Sequence, residues 1–382
     1  MKILLVSPLP PPNGGIAGWT TGLLDYYQNS NTDYEVLHQN TAVSSRRVTN
    51  TNILTRIISG LKETRSIYST FKLNLDYIKP NVVHITTSAS LALLKDILLI
   101  RLAVRRGVPA IIHFHFGRIP VIHNSKTWEW SLLCKVISSS RQAIVIDMKS
   151  YSALLKFKQY KNITYIPNPI STKIESIAHK IDLDTVDKKK GKVIFVGHIV
   201  PNKGIFELLE ATMLVPEIKE LVIIGPYEES IKKQLITIAS QRDNGSWVKF
   251  TGNVENEEVL NYLKDSSVLI LPSYTEGFPI VVLEAMAMGC AVIASEVGAI
   301  PEILNISGDK PCGICIKPRN TNELRNALSY LMSDYEKIFS LGNNGITRVL
   351  TNYTMSIIGK EYEKAWHMAV YNEYDIKPTS RV

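Results

Sequence analysis

Short apolar runs alternate with longer stretches in which apolar side chains recur every three or four positions, from one end of the chain to the other. In the first half, Lys2–Ser7, Tyr34–His38, Val82–Thr86, Ala110–His115, Ala143–Asp147 and Thr164–Pro167 are the expected strands. Trp19–Tyr27, Ile53–Ile78 and Leu91–Arg106 have the clearest helical periodicity. In the second half the expected strands are Lys192–Gly197, Leu221–Gly225, Val248–Gly252, Val268–Pro272, Ala291–Ser295 and Gly313–Lys317. These runs are apolar throughout rather than alternating, as in a parallel sheet covered on both faces. The strand–helix alternation restarts near Lys192, which predicts two doubly wound α/β domains in series, 1–170 and 171–352. The polar stretch Lys173–Lys192 reads as the linker between them. Thr354–Tyr371 is amphipathic, and a C-terminal helix within 353–382 is expected to pack back on the first domain.

Composition adds a charge asymmetry to this picture. The 382 residues are 45% apolar and 20% charged, which fits a folded chain with material for two cores and excludes a disordered or collagen-like one. The net charge is +8, but residues 1–170 hold 20 Lys and Arg against 8 Asp and Glu, and the remainder 23 against 27. The first half is therefore expected to meet something anionic. Its basic residues gather in 41–106, among them Arg46, Arg47, Arg56, Arg101, Arg105 and Arg106, in stretches with amphipathic periodicity. That pattern suits an anionic membrane face or a solvated basic surface. No aromatic-interleaved or recognition-helix motif accompanies it, so nucleic acid is not an expected partner.

Four cysteines are too few and too scattered for a disulfide framework, and the lone Cys312–Cys315 pair reads as a turn into a strand rather than a metal site. The N-terminal apolar run stops at proline and does not resemble a signal peptide. No apolar stretch reaches the ~18 residues of a membrane span. The expected location is cytoplasmic, with attachment at the inner face of the membrane as the added expectation.

In open α/β sheets ligands bind beyond the carboxyl ends of the strands, and two such sheets would face each other across a cleft. Leu271–Gly289 reads as strand, polar turn and apolar helix, with Pro279 at the first helical position, Gly289 at the cap and Glu284 buried within. Ribose hydroxyls or a nearby basic side chain would satisfy that carboxylate. The amides of Thr275–Phe278 at the helix N-terminus suit a diphosphate. Val193–Gly204 is again strand, loop and helix, with Lys203 at the helix start, where an anion would make it favourable. His113 and His115 share one face at the end of a strand, and Gly14-Gly15 precede a helix. Asp182-Leu183-Asp184 does not follow a strand and reads as part of the linker.

Together these stretches resemble the retaining glycosyltransferases of the GT-B fold, specifically glycosyltransferase family 4 (glycosyl transferases group 1). Glu276 and Glu284 match the family's two glutamates separated by seven residues, and Gly197, Lys203 and Gly204 its glycine–lysine–glycine turn. Pro12, Gly14 and Gly15 match its N-terminal Pro-x-Gly-Gly, and Asn168-Pro169 its turn at the domain join. The resemblance implies two Rossmann-like domains and metal-free transfer, with retention, from a nucleotide-diphosphate sugar. A UDP-sugar is the expected donor, and the acceptor a glycan or lipid-linked molecule in cell-surface polysaccharide or glycolipid synthesis. It implies catalytic roles for His115, Glu276 and Lys203. It implies donor contacts from Gly15, Gly197, His198, Lys203, Gly225, Val254, Glu276, Gly277, Phe278, Pro279 and Glu284, and no metal ligand. His198 departs from the pattern, since the family places an arginine there as a second cation on the diphosphate. Two other readings stay open: a GT-B epimerase acting on a nucleotide sugar, and a non-catalytic nucleotide-sugar-binding subunit.

Overall fold

The computed structural model describes residues 1–11, 14–42, 53–158, 162–181 and 188–371. Pro12, Arg46, Arg47, Asp182, Asp184, residues 372–382 and the side chain of Arg56 lie outside the described residues.

Two six-stranded parallel sheets form, each in its own compact unit. The first unit is Met1–Asn168 together with the chain from Met355, and the second is Pro169–Thr354. In the first, β1 (Lys2–Ser7), β2 (Glu35–Asn40), β3 (Val82–Thr87), β4 (Ala110–Phe114), β5 (Gln142–Val145) and β6 (Ile163–Tyr165) run in the order β2-β1-β3-β4-β5-β6. In the second, β7 (Lys189–Val196), β8 (Glu220–Ile224), β9 (Val248–Gly252), β10 (Ser266–Leu271), β11 (Ala291–Ser295) and β12 (Gly313–Ile316) run β12-β11-β10-β7-β8-β9. The strand order reverses between β1 and β3 in one sheet and between β7 and β10 in the other. These switch points are where a doubly wound sheet opens a crevice for a ligand.

The inner strands are near-continuous apolar runs because helices cover both faces, whereas the edge strands β2 and β9 carry polar, partly exposed residues. Strand alternation sends Leu4, Val6, Val83, Ile85, Ala110, Ile112 and Phe114 to one core, packed with Phe71, Leu99 and Val136 of the flanking helices. The opposite face carries His84 and His113, and it is covered by the helices Gly15–Asn29 and Met355–Tyr371. Tyr362 and Trp366 of the latter helix are wholly buried. Removing a large apolar side chain from water contributes roughly 1.5–3 kcal/mol, so the C-terminal helix is integral to the first unit's core.

The linker expected over Lys173–Lys192 is corrected in two places. Thr172–Ala178 is a helix, because Ser171 Oγ accepts from Ile174 N and Ile174 and Ala178 are buried. β7 begins at Lys189, and Lys188 is buried with its Nζ donating to the carbonyls of Lys264 and Ser266 at 3.2 and 2.7 Å. A lysine reads as solvated in sequence, but here its ammonium satisfies the carbonyls at the C-terminus of the helix Asn256–Asp265, where the helix dipole favours a cation. The C-terminal helix begins at Met355.

Candidate functional site

At the switch point of the second sheet two loops meet, one after β7 and one after β10. The chain leaves β7 through Gly197 and His198, makes a 3₁₀ turn over Pro201–Lys203, passes Gly204 and enters the helix Ile205–Met213. Gly204 has φ of 67°, and a Cβ there would lie 2.2 Å from the Pro272 carbonyl oxygen. Only glycine combines that backbone with so close an approach. A hydrogen bond from Tyr274 N to Asn202 O at 2.9 Å ties the loops further. The consequence is that Lys203 and Glu276, distant in sequence, form an ion pair with Nζ to Oε1 at 2.6 Å, both largely removed from solvent.

The turn Thr275–Phe278 is held from its other side. Gly298, with φ of 56°, lies so close that a Cβ would stand 2.4 Å from the carbonyl oxygens of Glu276 and Gly277, and Ala299 N donates to Gly277 O at 2.9 Å. The amides of Thr275, Glu276 and Gly277 make no hydrogen bond among the described residues. Phe278 is buried, its ring 5.9 Å from that of Tyr353. Helical geometry begins at Ile280, since Pro279 has an extended ψ of 109°, so the proline precedes the helix rather than opening it.

Glu284 lies one turn into the helix Ile280–Ala287. Its carboxyl has no hydrogen-bond or ion-pair partner among the described residues, and burial pushes its pKa up to about 7. Such a group is costly when ionised and has its full hydrogen-bonding capacity free for a ligand. Gly225 follows β8 and donates its N–H to Gly252 O at 2.9 Å, and Gly197 N donates to Ile224 O at the same distance. Val254 is half-buried just beyond, and His198 is exposed. Tyr274 and Arg319 went unread in the sequence. The tyrosine hydroxyl donates to Glu207 Oε1 at 2.5 Å, and the guanidinium lies 4.5 Å from the tyrosine ring centroid.

In the first unit, Gly14 caps the helix Gly15–Asn29, and nothing lies within 4 Å of where a Cβ would stand on Gly14 or Gly15. The internal packing therefore does not require these glycines. His115 follows β4 directly and donates its backbone N–H to Thr87 O. Its ring lies against that of His113 with centroids 4.0 Å apart and planes tilted by 40°, and Trp19 packs on it at 4.7 Å. Burial holds both His115 and His84 down at about 3 and His113 well below its ordinary value, so all three are neutral near pH 7. His84 was not singled out in the sequence, because a lone histidine in an apolar strand carries no local signal. Cys312 and Cys315 are free thiols at the start of β12.

The structure thus gathers Gly197, His198, Lys203, Glu276, Gly277, Phe278, Pro279 and Glu284 around one crevice of the second unit, and sets His115 at a strand end and Gly15 at a helix start of the first. Over 96% of the chain, and 98% of its counterpart, this architecture superimposes on sucrose-phosphate synthase from Thermosynechococcus elongatus with a TM-score of 0.75 at 18% identity. The fold is GT-B. A second GT-B structure, Anabaena HepE in complex with UDP, matches with a TM-score of 0.70 at 15% identity over 96% of this chain and all of that one. Residues 180–348, most of the second unit of the GT-B fold, match the family described as glycosyl transferases group 1. Over 48% of the chain it is 26% identical to the N,N'-diacetylbacillosaminyl-diphospho-undecaprenol alpha-1,3-N-acetylgalactosaminyltransferase of Campylobacter jejuni, covering 46% of that relative. The chain spans about half the length of the curated relatives it matches.

Proposed function

We propose that this chain is a family 4 glycosyltransferase that moves a sugar, with retention and without a metal, from a UDP-sugar to a glycan or lipid-linked acceptor. The observation that carries the reading is the Lys203–Glu276 pair, set beside unbonded amides at the start of a helix and a partnerless half-buried carboxylate. Departure of a diphosphate needs a positive field where charge develops. Lys203 and the amides of Thr275–Gly277 supply it. Glu276 holds the lysine in place and accepts from sugar hydroxyls, Glu284 accepts from the ribose, and Val254 lies against the base. His115, neutral, meets an uncharged part of the sugar. The Campylobacter relative and the UDP complex of HepE support the reading through the acceptor and nucleotide in their names. The relatives' transferase names favour it over an epimerase.

The test is a panel of nucleotide sugars incubated with undecaprenyl-diphospho-sugar acceptors. UDP release is expected only with acceptor present, with the anomeric configuration kept and with activity unchanged in EDTA. Release without acceptor points to the epimerase reading, and binding without release to a non-catalytic subunit.

The acceptor's expected membrane anchor has a counterpart on the surface. Among the described residues no helix is long and apolar enough to cross a membrane. On the helix Ala92–Arg105, Leu94, Leu98, Arg101 and Arg105 are exposed and fall on one face, with Leu91 exposed just before it. Arg106 is instead ion-paired with Asp76. We propose that this face docks on anionic lipid. Arg101→Ser with Arg105→Ser is expected to weaken sedimentation with anionic vesicles roughly 30-fold, at about 1 kcal/mol per basic residue. Equal sedimentation with neutral vesicles overturns the docking and leaves the transferase reading standing.

A further inference from the structure

Within the first unit runs a chain of hydrogen bonds whose direction is fixed at one end. An indole nitrogen can only donate. Trp366 Nε1 donates to His84 Nδ1 at 3.0 Å, so that nitrogen carries the lone pair and His84 keeps its proton on Nε2. His84 Nε2 lies 3.2 Å from His113 Nδ1 and donates to it, which places the His113 proton on Nε2. While these bonds stand neither ring accepts a second proton, because each basic lone pair is already occupied. Sequence separates the indole from His84 by most of the chain, and strand alternation brings His84 and His113 to the same face of adjacent strands.

The His115 ring packs against that of His113, tilted by 40°. Trp19 packs against all three imidazoles, with centroids between 4.7 and 5.8 Å, and its own N–H goes to the Tyr362 hydroxyl at 2.9 Å. The titratable groups facing one another here are His84, His113, His115 and Tyr362, brought by β3, β4 with the residue after it, and the C-terminal helix, and among the described residues no charged side chain stands between them. Nε2 of both His113 and His115 is buried without a hydrogen-bond partner among the described residues. A buried unmet donor costs about 1–3 kcal/mol, which packing alone does not explain.

We infer that Trp366 and His84 are positioning residues, which lock His113 as a neutral Nε2–H tautomer behind the half-buried His115, so that His115 offers a fixed, uncharged edge to a hydroxyl-bearing ligand. The ligand class rests on the proposed placement of His115 against the transferred sugar. An imidazole held neutral distinguishes a sugar hydroxyl from a phosphate oxygen, since it lacks the charge that would draw the diphosphate to the wrong end of the donor.

The experiment is long-range ¹H–¹⁵N correlation of the histidine side chains in the full chain at pH 7. His84 and His113 are expected in the Nε2–H form. Trp366→Phe is expected to mix the His84 tautomers and shift those of His113, whereas Trp19→Phe, which removes an indole N–H bonded to Tyr362 instead, leaves both unchanged. The same Trp366→Phe change is expected to raise KM for the sugar donor about tenfold, the worth of one neutral hydrogen bond, with Kd for UDP unaltered. His84 in the Nδ1–H form in the wild-type protein overturns the inference, and that spectrum decides even where Trp366→Phe fails to fold. Tautomers that ignore Trp366→Phe also overturn it. Failure of the wild-type chain to bind any nucleotide sugar overturns the proposed function instead, and leaves the tautomer result standing.

Discussion

Glu284→Gln is expected to make the ligand-free protein more stable at pH 8 while weakening its hold on UDP. The carboxyl titrates near 7 in the folded chain, raised by burial from an ordinary value of 4.5. Below pH ~4.5 both folded and unfolded forms are protonated and the group contributes its full share of stability. As pH rises, the unfolded chain loses the proton first, and the folded state is progressively disfavoured until the folded group has also ionised, above about 7. The whole difference is roughly 3 kcal/mol at most. Thermal melts of wild type and Glu284→Gln are therefore expected to converge near pH 4 and separate by pH 8, with the glutamine variant higher. Ribose hydroxyls favour the carboxylate, so UDP binding releases protons, and wild-type affinity rises from pH 6 to 8. Removing the charge is expected to cost about 1.5–3 kcal/mol of binding, or tenfold to a hundredfold in Kd by titration calorimetry. Coincident melts at every pH would show that Glu284 is solvated, and wild-type affinity in the variant would remove it from the ribose.

Lys203→Met is expected to lower turnover 10²- to 10³-fold, the scale seen when one preorganised donor to a developing charge is lost. The same change leaves Glu276 largely buried without its cation, and breaking one side of such a pair is destabilising. A double variant separates the two effects. Lys203→Met with Glu276→Gln removes both charges, so stability is expected to recover while turnover does not. Recovery of turnover in the double variant would make the pair structural and move the diphosphate elsewhere, with Arg319, which packs over Tyr274, an alternative cation to examine.

The sheets were legible because a strand buried on both faces leaves an apolar run that needs no context to read. β1, β9 and β11 have the bounds expected from the sequence, whereas β7 starts at Lys189, three residues before the expected Lys192. Its first residues are lysines, and they pair because β10 supplies a partner at Ser266 and because Lys188 finds carbonyls at a helix end. Neither partner is visible locally. The same division holds at the site. The loops after β7 and β10 were legible from strand, glycine and helix in order, but their closeness depends on Gly204 meeting Pro272, which only the folded sheet brings about. The sequence sets Lys203 before an anion and Glu276 in a separate turn, and the structure pairs them with each other. Gly298 left no signal and Trp366 only that of an apolar helix face, since the further meaning of each lies in a contact with a distant segment.

The discontinuous make-up of the first unit also bears on the order in which the protein is built. Synthesis delivers the N-terminal unit first, and domains ordinarily fold as they emerge. Here Trp19, Tyr27 and His84 find their partners on the helix Met355–Tyr371, which is made only after all of Pro169–Thr354. The second unit, contiguous in sequence, is complete before the first can close. During that interval one face of the first sheet has only Gly15–Asn29 of its two covering helices, and the nascent chain carries an open apolar surface until Met355–Tyr371 arrives.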